Sequence, residues 1–261
     1  MDDLSALKLQ IEWGADEALE DAPINRSHPA DVAEPAPSRE AKEDKERVSE
    51  PHTSPAERAL QSAASANTLD ELRAAIAAFD GCALRDTASH LVFAEGDPVA
   101  DLLVIGDPPS ADEDRSGTPF AGPAGAYFDR MLASVGLRRT DLLLTPLIPW
   151  RPPGDRPPNP AELTICLPFL RRLIILVAPR RLLLLGPLAA RSLLPQSTSR
   201  RRPRGAWIDT ADGIPALPTF SPMELMRAPK DRRAAWADLR LLRRTLDADA
   251  TSSHHGGGTT A

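Results

Sequence analysis

The sequence is poor in cysteine and has no long apolar run. Its 261 residues include two cysteines, Cys82 and Cys166, which exclude a disulfide framework and cannot alone build a four-thiolate metal site. No apolar stretch approaches the roughly 18 residues of a membrane span, and no secretory signal pattern opens the chain. We therefore expect a soluble, cytoplasmic protein with no membrane partner.

Acidic charge is concentrated near the amino terminus. Residues 1–56 carry 14 acidic and 6 basic side chains, whereas the other 205 residues carry 23 acidic and 25 basic ones. The formal net charge of −6 therefore hides a mildly basic body behind an acidic leader. A basic body leaves binding to a polyanion open.

Composition divides the chain into four parts. Apolar residues at intervals predict a short amino-terminal helix within residues 1–21 that docks on the body. Residues 22–56 are rich in Pro, Glu, Lys, Ser and Asp and lack the apolar surface to offset their ordering entropy, so we predict a disordered linker. The body spans residues 57–247, and the Ser/Gly/Thr/His-rich tail 248–261 is expected to be disordered.

Four short apolar runs alternate with helical patterns in the body. The runs predict strands at 102–105, 142–145, 182–185 and 214–217. The helical patterns cover Ala56–Ala66, Leu69–Phe79, Ala124–Val135, Pro160–Val177, Leu188–Leu194 and Asp231–Asp247. This alternation is typical of βαβ units. It predicts an α/β fold with three α/β/α layers around a central four-stranded parallel sheet.

Each predicted strand ends in a loop with polar or charged residues. The loops begin at Asp107, Pro146, Gly186 and Thr219. Ligands bind outside the carboxyl ends of strands in open parallel sheets, so these loops are expected to share one crevice. The first loop carries a carboxylate, Asp107, and an aromatic ring, Phe120, a pair suited to a flat polar ligand.

Each of these residues also has a purely structural interpretation. Asp107 could cap the turn after its strand, as Asp often does. Phe120 could belong to the core. The segment 200–204, which packs four arginines into five residues, could be a solvated loop.

Collinear motifs across roughly residues 80–247 resemble the uracil-DNA glycosylase superfamily, most closely its family 4. The motifs are Gly106-Asp-Pro-Pro-Ser110, Pro119-Phe120, Trp150-Arg-Pro-Pro-Gly-Asp-Arg156, Cys166-Leu-Pro-Phe-Leu170, Thr219-Phe-Ser-Pro222 and Trp236-Ala-Asp-Leu239. The resemblance implies an enzyme of base-excision repair that flips a deoxyuridine out of DNA and hydrolyses its N-glycosidic bond. DNA, single- or double-stranded, is then the partner, and we expect a monomer.

The resemblance also assigns roles to residues. Asp107 takes the position of the carboxylate that activates water, and Ser221 the position of a histidine that stabilises the leaving uracil. Phe120 stacks on the base. The other implied substrate-binding positions are Gly106, Pro108 and Pro146. The implied DNA-binding arginines are Arg151, Arg156, Arg201, Arg202, Arg204 and Arg227.

The sequence departs from the family pattern at four of these positions. Asp107 replaces a glutamate, and Pro108 replaces an alanine. Pro146 replaces an asparagine that reads the uracil edge in the family. Proline has no side-chain group that can form a hydrogen bond. Ser221 cannot carry the positive charge of a histidine. We therefore expect excision to be weakened or lost, and the alternatives are an inactive DNA-binding relative or a fold remnant whose leader contacts proteins.

Iron–sulfur members of family 4 hold their cluster with four cysteines. Cys82 and Cys166 match two of these positions, while Phe79 and Trp150 occupy the other two. Because four thiolates are the normal requirement, we predict no cluster, no metal site and no other cofactor. The structural interpretation of both cysteines is that of small buried apolar residues.

Overall fold

A mostly parallel sheet forms the centre of the computed structural model, which describes residues 53–195 and 203–255, with side chains to residue 251. Its strand order is β1-β3-β2-β4-β6-β5. The strands are β1 (Glu95–Gly96), β2 (Leu102–Gly106), β3 (Leu143–Pro146), β4 (Arg181–Leu185), β5 (Ile208–Asp209) and β6 (Pro215–Thr219). The four inner strands are parallel, and the two-residue edge strands β1 and β5 are antiparallel to their neighbours.

Nine helices surround this sheet in the described residues. They are α1 (Pro55–Ser65), α2 (Leu69–Ala78), α3 (Leu84–Thr87), α4 (Ala111–Ser116), α5 (Gly122–Ala133), α6 (Pro160–Val177), α7 (Pro187–Leu193), α8 (Pro222–Arg227) and α9 (Arg232–His255). Short 3-10 turns at Arg139–Asp141, Pro153–Asp155 and Pro229–Asp231 complete the connections.

The inner strands bury both faces, which explains their continuous apolar runs. Along β2, Leu103 and Ile105 pack into a core with α1, α2, α6 and α7. Leu102 and Val104 point the other way, into a core with α5, α8 and α9. Successive side chains of a strand leave opposite faces, so one run serves two helical layers. The predicted three-layer α/β fold with four central parallel strands is confirmed.

Several element boundaries differ from the sequence-based expectation. The edge strands β1 and β5 were not predicted because two residues cannot display an alternating pattern. α4 and α8 lie within segments that we had assigned to loops. α1 begins at Pro55, inside the stretch assigned to the linker, because Ser54 and Glu57 form a capping box at its start.

The last helix also continues beyond the expected boundary at residue 247. α9 extends to His255, and within this extension Arg181 of β4 binds Asp249 through two hydrogen bonds of 2.5 and 2.8 Å. The helix is thus about two turns longer than the apolar pattern indicates, and this contact anchors the first of them. The predicted leader helix, residues 22–52 of the predicted linker, residues 256–261 of the tail, and Arg201 and Arg202 lie outside the described residues. Within the described part, no helix is long and apolar enough to cross a membrane.

A buried carboxylate ties the carboxyl edge of β6 to the last helix. Asp238 of α9 is 2% exposed. It accepts a 2.7 Å hydrogen bond from the Thr219 hydroxyl and two bonds of 3.0 and 3.1 Å from the Arg204 guanidinium. Arg204 also lies 5.2 Å from the Phe220 ring centroid. Asp238 therefore joins three separate segments of the chain.

We predict that Asp238→Ala lowers the free energy of unfolding by about 3 kcal/mol, because it leaves the Arg204 charge and a buried hydroxyl without their acceptor. Urea denaturation measures this change. The control is Asp212→Ala in an exposed turn, for which we expect a change within about 0.5 kcal/mol. Equal effects of the two substitutions would contradict the role of Asp238.

Candidate functional site

A cleft of about 360 Å³ lies at the carboxyl ends of the parallel strands. Residues from the loops that follow all four inner strands line it. They include Asp107 and Pro108 after β2, Pro152 and Arg156 after β3, Pro187 and Arg191 after β4, and Ser221 and Arg227 after β6. A cavity of this size can take a nucleobase-sized ligand.

The Asp107 side chain is held on the amino terminus of α7. Its Oδ1 accepts hydrogen bonds from the N–H groups of Leu188 (3.2 Å) and Ala189 (3.1 Å). A Cβ at Gly186 would overlap the carboxylate, and Gly186 has a φ of +104°, so glycine suits this position for two reasons. Asp107 therefore caps the start of α7, a distant helix, and not the turn after its own strand, as the structural interpretation had proposed.

Burial raises the pKa of Asp107 from its ordinary value of 3.8 to about 6. The hydrogen bond from Ala189 opposes this shift, the negative charge of Glu224 adds to it, and the N–H of Leu188 and the charge of Arg191 lower the pKa again. A carboxyl with this pKa is mostly ionised at neutral pH and can still accept a proton.

Phe120 is fixed in an unusual backbone conformation. Its φ is +53°, a left-handed value that costs a non-glycine residue about 1–3 kcal/mol. Its N–H donates to Glu113 Oε1 at 2.6 Å, and its carbonyl accepts from Arg139 at 2.9 Å. A Cβ at Gly125 would overlap that carbonyl oxygen. These contacts hold the loop in a single shape.

The Phe120 ring lines the cleft beside the end of β2. It stacks on Phe128 with ring centroids 5.0 Å apart and an interplanar angle of 27°. A Cβ at Gly106 would lie 2.8 Å from the tip of the ring, so the ring needs glycine there. Phe120 is 8% exposed and thus belongs to the core as well as to the cleft.

Two serines in the cleft begin short helices. Ser221 Oγ accepts from the Glu224 N–H at 3.2 Å, and Glu224 accepts from the Ser221 N–H at 2.9 Å. Ser110 forms the same reciprocal box with Glu113, starting α4. The hydroxyl oxygen of Ser221 therefore caps the start of α8.

The structure does not bring Pro146 into the cleft. Pro146 ends β3, pairs in register with Gly106 and is buried. It lines a separate cavity of about 20 Å³ with Cys166 and Phe169. Gly106 and Pro108, by contrast, both line the cleft.

The candidate DNA-binding arginines divide into paired and unpaired groups. Arg156 lines the cleft and binds Glu162 through bonds of 2.6 and 2.9 Å. Arg151 binds Asp155 at 2.7 Å, and Arg204 is held by Asp238. Arg227 is exposed, lines the cleft, and has no ion-pair partner within the described ranges.

Sequence reasoning did not assign four charged residues to the cleft, namely Glu113, Asp155, Arg191 and Glu224. The signal for the two glutamates was present as Ser-x-x-Glu, the capping-box pattern, at 110–113 and 221–224. Arg191 carries no such signal, since only its place on the exposed side of α7 brings it to the cleft.

The residues around the two cysteines do not fit a four-thiolate cluster. Cys82 and Cys166 are buried, with their sulfur atoms 3.9 Å apart. Phe79 and Trp150, at the remaining two positions, are buried in the same apolar core and offer no thiolate. In the part of the chain that is described, no three His, Cys, Asp or Glu side chains are grouped to hold a metal ion.

The fold defines an α/β protein with a cleft at the carboxyl edge of its sheet. Residues 93–240, more than half of the chain, match the model of the family described as "Uracil DNA glycosylase superfamily". The chain belongs to this superfamily, and the resemblance drawn from its motifs is confirmed.

Three relatives are named type-4 uracil-DNA glycosylase. The chain is 36% identical to the protein of Pyrobaculum aerophilum over 126 residues, which are 48% of this chain and 64% of the relative. It is 37% identical to that of Archaeoglobus fulgidus over 123 residues, 47% and 62% of the two chains. It is 32% identical to that of Thermotoga maritima over 147 residues, 56% and 77%. The match thus spans less than two thirds of the first two relatives.

We predict that Gly125→Ala lowers the free energy of unfolding by about 2 kcal/mol, because the new methyl group displaces the Phe120 carbonyl. By helix propensity alone, alanine in place of glycine would raise the free energy of unfolding by about 1 kcal/mol. A decrease therefore indicates the clash with the Phe120 carbonyl. Urea denaturation measures it. The reverse change at a neighbouring exposed position, Ala126→Gly, is the control and should cost about 1 kcal/mol. A more stable Gly125→Ala protein would refute the contact.

The raised pKa of Asp107 predicts a pH-dependent stability. The folded state holds more protons than the unfolded state between pH 3.8 and about 6, so ionised Asp107 costs stability as pH rises through this window. Asp107→Asn keeps the acceptor oxygen for Leu188 and Ala189 and removes the charge. We expect it to be more stable than the parent by about 3 kcal/mol at pH 8, which is about 1.4 kcal/mol for each unit by which the pKa is raised.

At pH 4 the two proteins should unfold at nearly the same urea concentration, since Asp107 is then protonated. The control is Asp212→Asn, at an exposed carboxyl in a turn, measured against the parent at the same two pH values. A constant difference between Asp107→Asn and the parent at both pH values would contradict a raised pKa.

Proposed function

We propose that this chain is a uracil-DNA glycosylase-like protein of base-excision repair, which takes a flipped deoxyuridine into the cleft and excises it weakly or not at all. The observation that carries the proposal is the placement of Asp107 and Phe120 in one cleft, at the carboxyl ends of the strands. Membership of the superfamily and the printed names of the relatives support it.

Binding would use the ring of Phe120 and the free arginine at the rim. An extruded base stacks on an aromatic ring in enzymes that act on flipped nucleotides. Glu113 and Arg139 hold the Phe120 backbone in place, and Phe128 stacks on its ring. Arg227 at the rim is available to a phosphate, and Arg191 lies across the cleft on α7.

The chemical step would be hydrolysis of the N-glycosidic bond. Water forms a bond to the sugar C1′, the C1′–N1 bond breaks, its electron pair leaves with uracil, and the water proton passes to the Asp107 carboxylate. Oδ1 of Asp107 is engaged by two N–H groups, so Oδ2 remains to orient the water. The pKa of about 6 leaves Asp107 ionised for this task at neutral pH.

The same cleft gives physical reasons for weak excision. Ser221 is neutral and bound to Glu224, so no cation from this position faces a departing anion. Glu224 adds negative charge near Asp107. Removing one group that stabilises a developing anion typically costs about 10²–10³ in rate. Pro146 lies outside the cleft and cannot read the base edge.

An inactive DNA-binding relative is the second candidate. The replacements at Pro146 and Ser221 favour it, while Phe120 and Arg227 would still bind DNA. The two candidates differ only in whether the bond is broken, so one experiment separates them.

The experiment is single-turnover excision, with protein in excess over labelled single- and double-stranded DNA that carries one deoxyuridine. Weak excision predicts slow formation of abasic sites, a rate that rises with pH through about 6, and loss of product in Asp107→Asn. Product that persists unchanged in Asp107→Asn would remove Asp107 from the chemistry.

Binding to the same DNA is measured in parallel by fluorescence anisotropy. Phe120→Ala should weaken binding to deoxyuridine-containing DNA more than to unmodified DNA, and Phe93→Ala, a buried ring of the other core, is the control for lost packing. Binding without product would establish the inactive relative. Absence of both product and binding would overturn both candidates.

A further inference from the structure

A second groove lies on the other side of α8 from the cleft. It has a volume of about 420 Å³ and runs between α5 and α9. The residues that matter here are Tyr127 and Arg130 of α5, Leu225 of α8, and Arg232, Arg233 and Trp236 of α9. We refer to it as the α5–α9 groove.

The charge of this groove differs from that of the cleft. Arg130, Arg232 and Arg233 line the groove, and no acidic side chain of the described residues does so. The cleft, in contrast, is lined by three arginines together with four carboxylates, Asp107, Glu113, Asp155 and Glu224. A site without acidic groups favours an anionic ligand.

An exposed tryptophan and a partly buried tyrosine accompany these arginines. Trp236 is 48% exposed, with the Arg240 guanidinium 4.9 Å from its ring centroid. Arg130 and Arg232 lie 5.4 and 5.6 Å from the centroid of Tyr127. Arginines beside aromatic rings are the arrangement that binds single strands, because bases stack on rings while cations contact phosphates.

The position of the groove connects it to the cleft. Leu225 of α8 lines the groove, while Pro222, Glu224 and Arg227 of the same helix line the cleft. One short helix of six residues therefore separates the two sites. A strand that leaves the cleft need cross only α8 to reach Trp236.

We propose that the α5–α9 groove binds single-stranded nucleic acid, with Trp236 stacking on a base and Arg130, Arg232 and Arg233 contacting phosphates. That this strand continues from the cleft rests on the proposed function. An acidic peptide would engage the arginines but would leave the exposed indole without a flat partner. A nucleotide supplies both a flat base and a phosphate.

The test uses full-length protein and a labelled single-stranded DNA of 20 nucleotides that contains no deoxyuridine, so that it does not depend on excision. Trp236→Ala should weaken binding about tenfold, the loss expected for one stacked base, whereas Trp236→Phe should retain most of the affinity. In the double variant Arg130→Ala/Arg233→Ala, the slope of log K (the association constant) against log salt concentration should become less negative by about 1.4. This is about 0.7 for each lost phosphate contact.

The matched control is Arg171→Ala, which removes an exposed arginine from α6, in the opposite helical layer. Its affinity and salt slope should equal those of the parent. Unchanged affinity in Trp236→Ala and an unchanged slope in the double variant would overturn the groove proposal. If Arg227→Ala then still weakened binding, the proposed function of the cleft would stand without the groove.

Discussion

The parallel pairing of β2 with β3 and β4 is the constraint on which the site depends. β2 is buried on both faces, and its neighbours hold its register from Leu102 to Gly106. Asp107 follows at once and meets the amino terminus of α7, which itself follows β4 directly. The carboxylate therefore starts its loop at the end of a paired strand and is held there by two N–H groups of α7, so a shift of either the strand or α7 would move it.

The capping boxes at two helix starts also place charged side chains in the cleft. The boxes at Ser110 and Ser221 each require a glutamate three residues later, and both glutamates come to line the cleft. Glu113 then holds the Phe120 backbone, while the charge of Glu224 adds to the burial that raises the pKa of Asp107. Local helix capping thus restrains the backbone of the residue that we propose to stack on the base, and it adds negative charge near Asp107.

The region of the two cysteines shows the same link between packing and chemistry. Phe79 packs edge to face on Phe169 with centroids 5.3 Å apart, and Trp150 is 2% exposed in the same core. Phe79 and Trp150 stand where the family's cluster-binding pattern has cysteines. Their burial stabilises the folded state through the hydrophobic effect. The domain thus has a packed core at this place, and the chemistry proposed for the cleft needs no group from it.

The sequence by itself determined the layers and the place of the site. Apolar runs with helical patterns between them were enough to predict four parallel strands and two helical layers, because hydrophobic periodicity can be read from neighbouring residues. The motif residues Asp107 and Phe120 were assignable to one edge for the same reason. Only the tertiary structure decided what their atoms do. Asp107 binds α7, Arg204 pairs with Asp238, Pro146 is buried outside the cleft, and the α5–α9 groove lies near the cleft. Each of these features depends on residues that are far apart in the chain. Such contacts depend on how helices dock on the sheet, which no local pattern encodes.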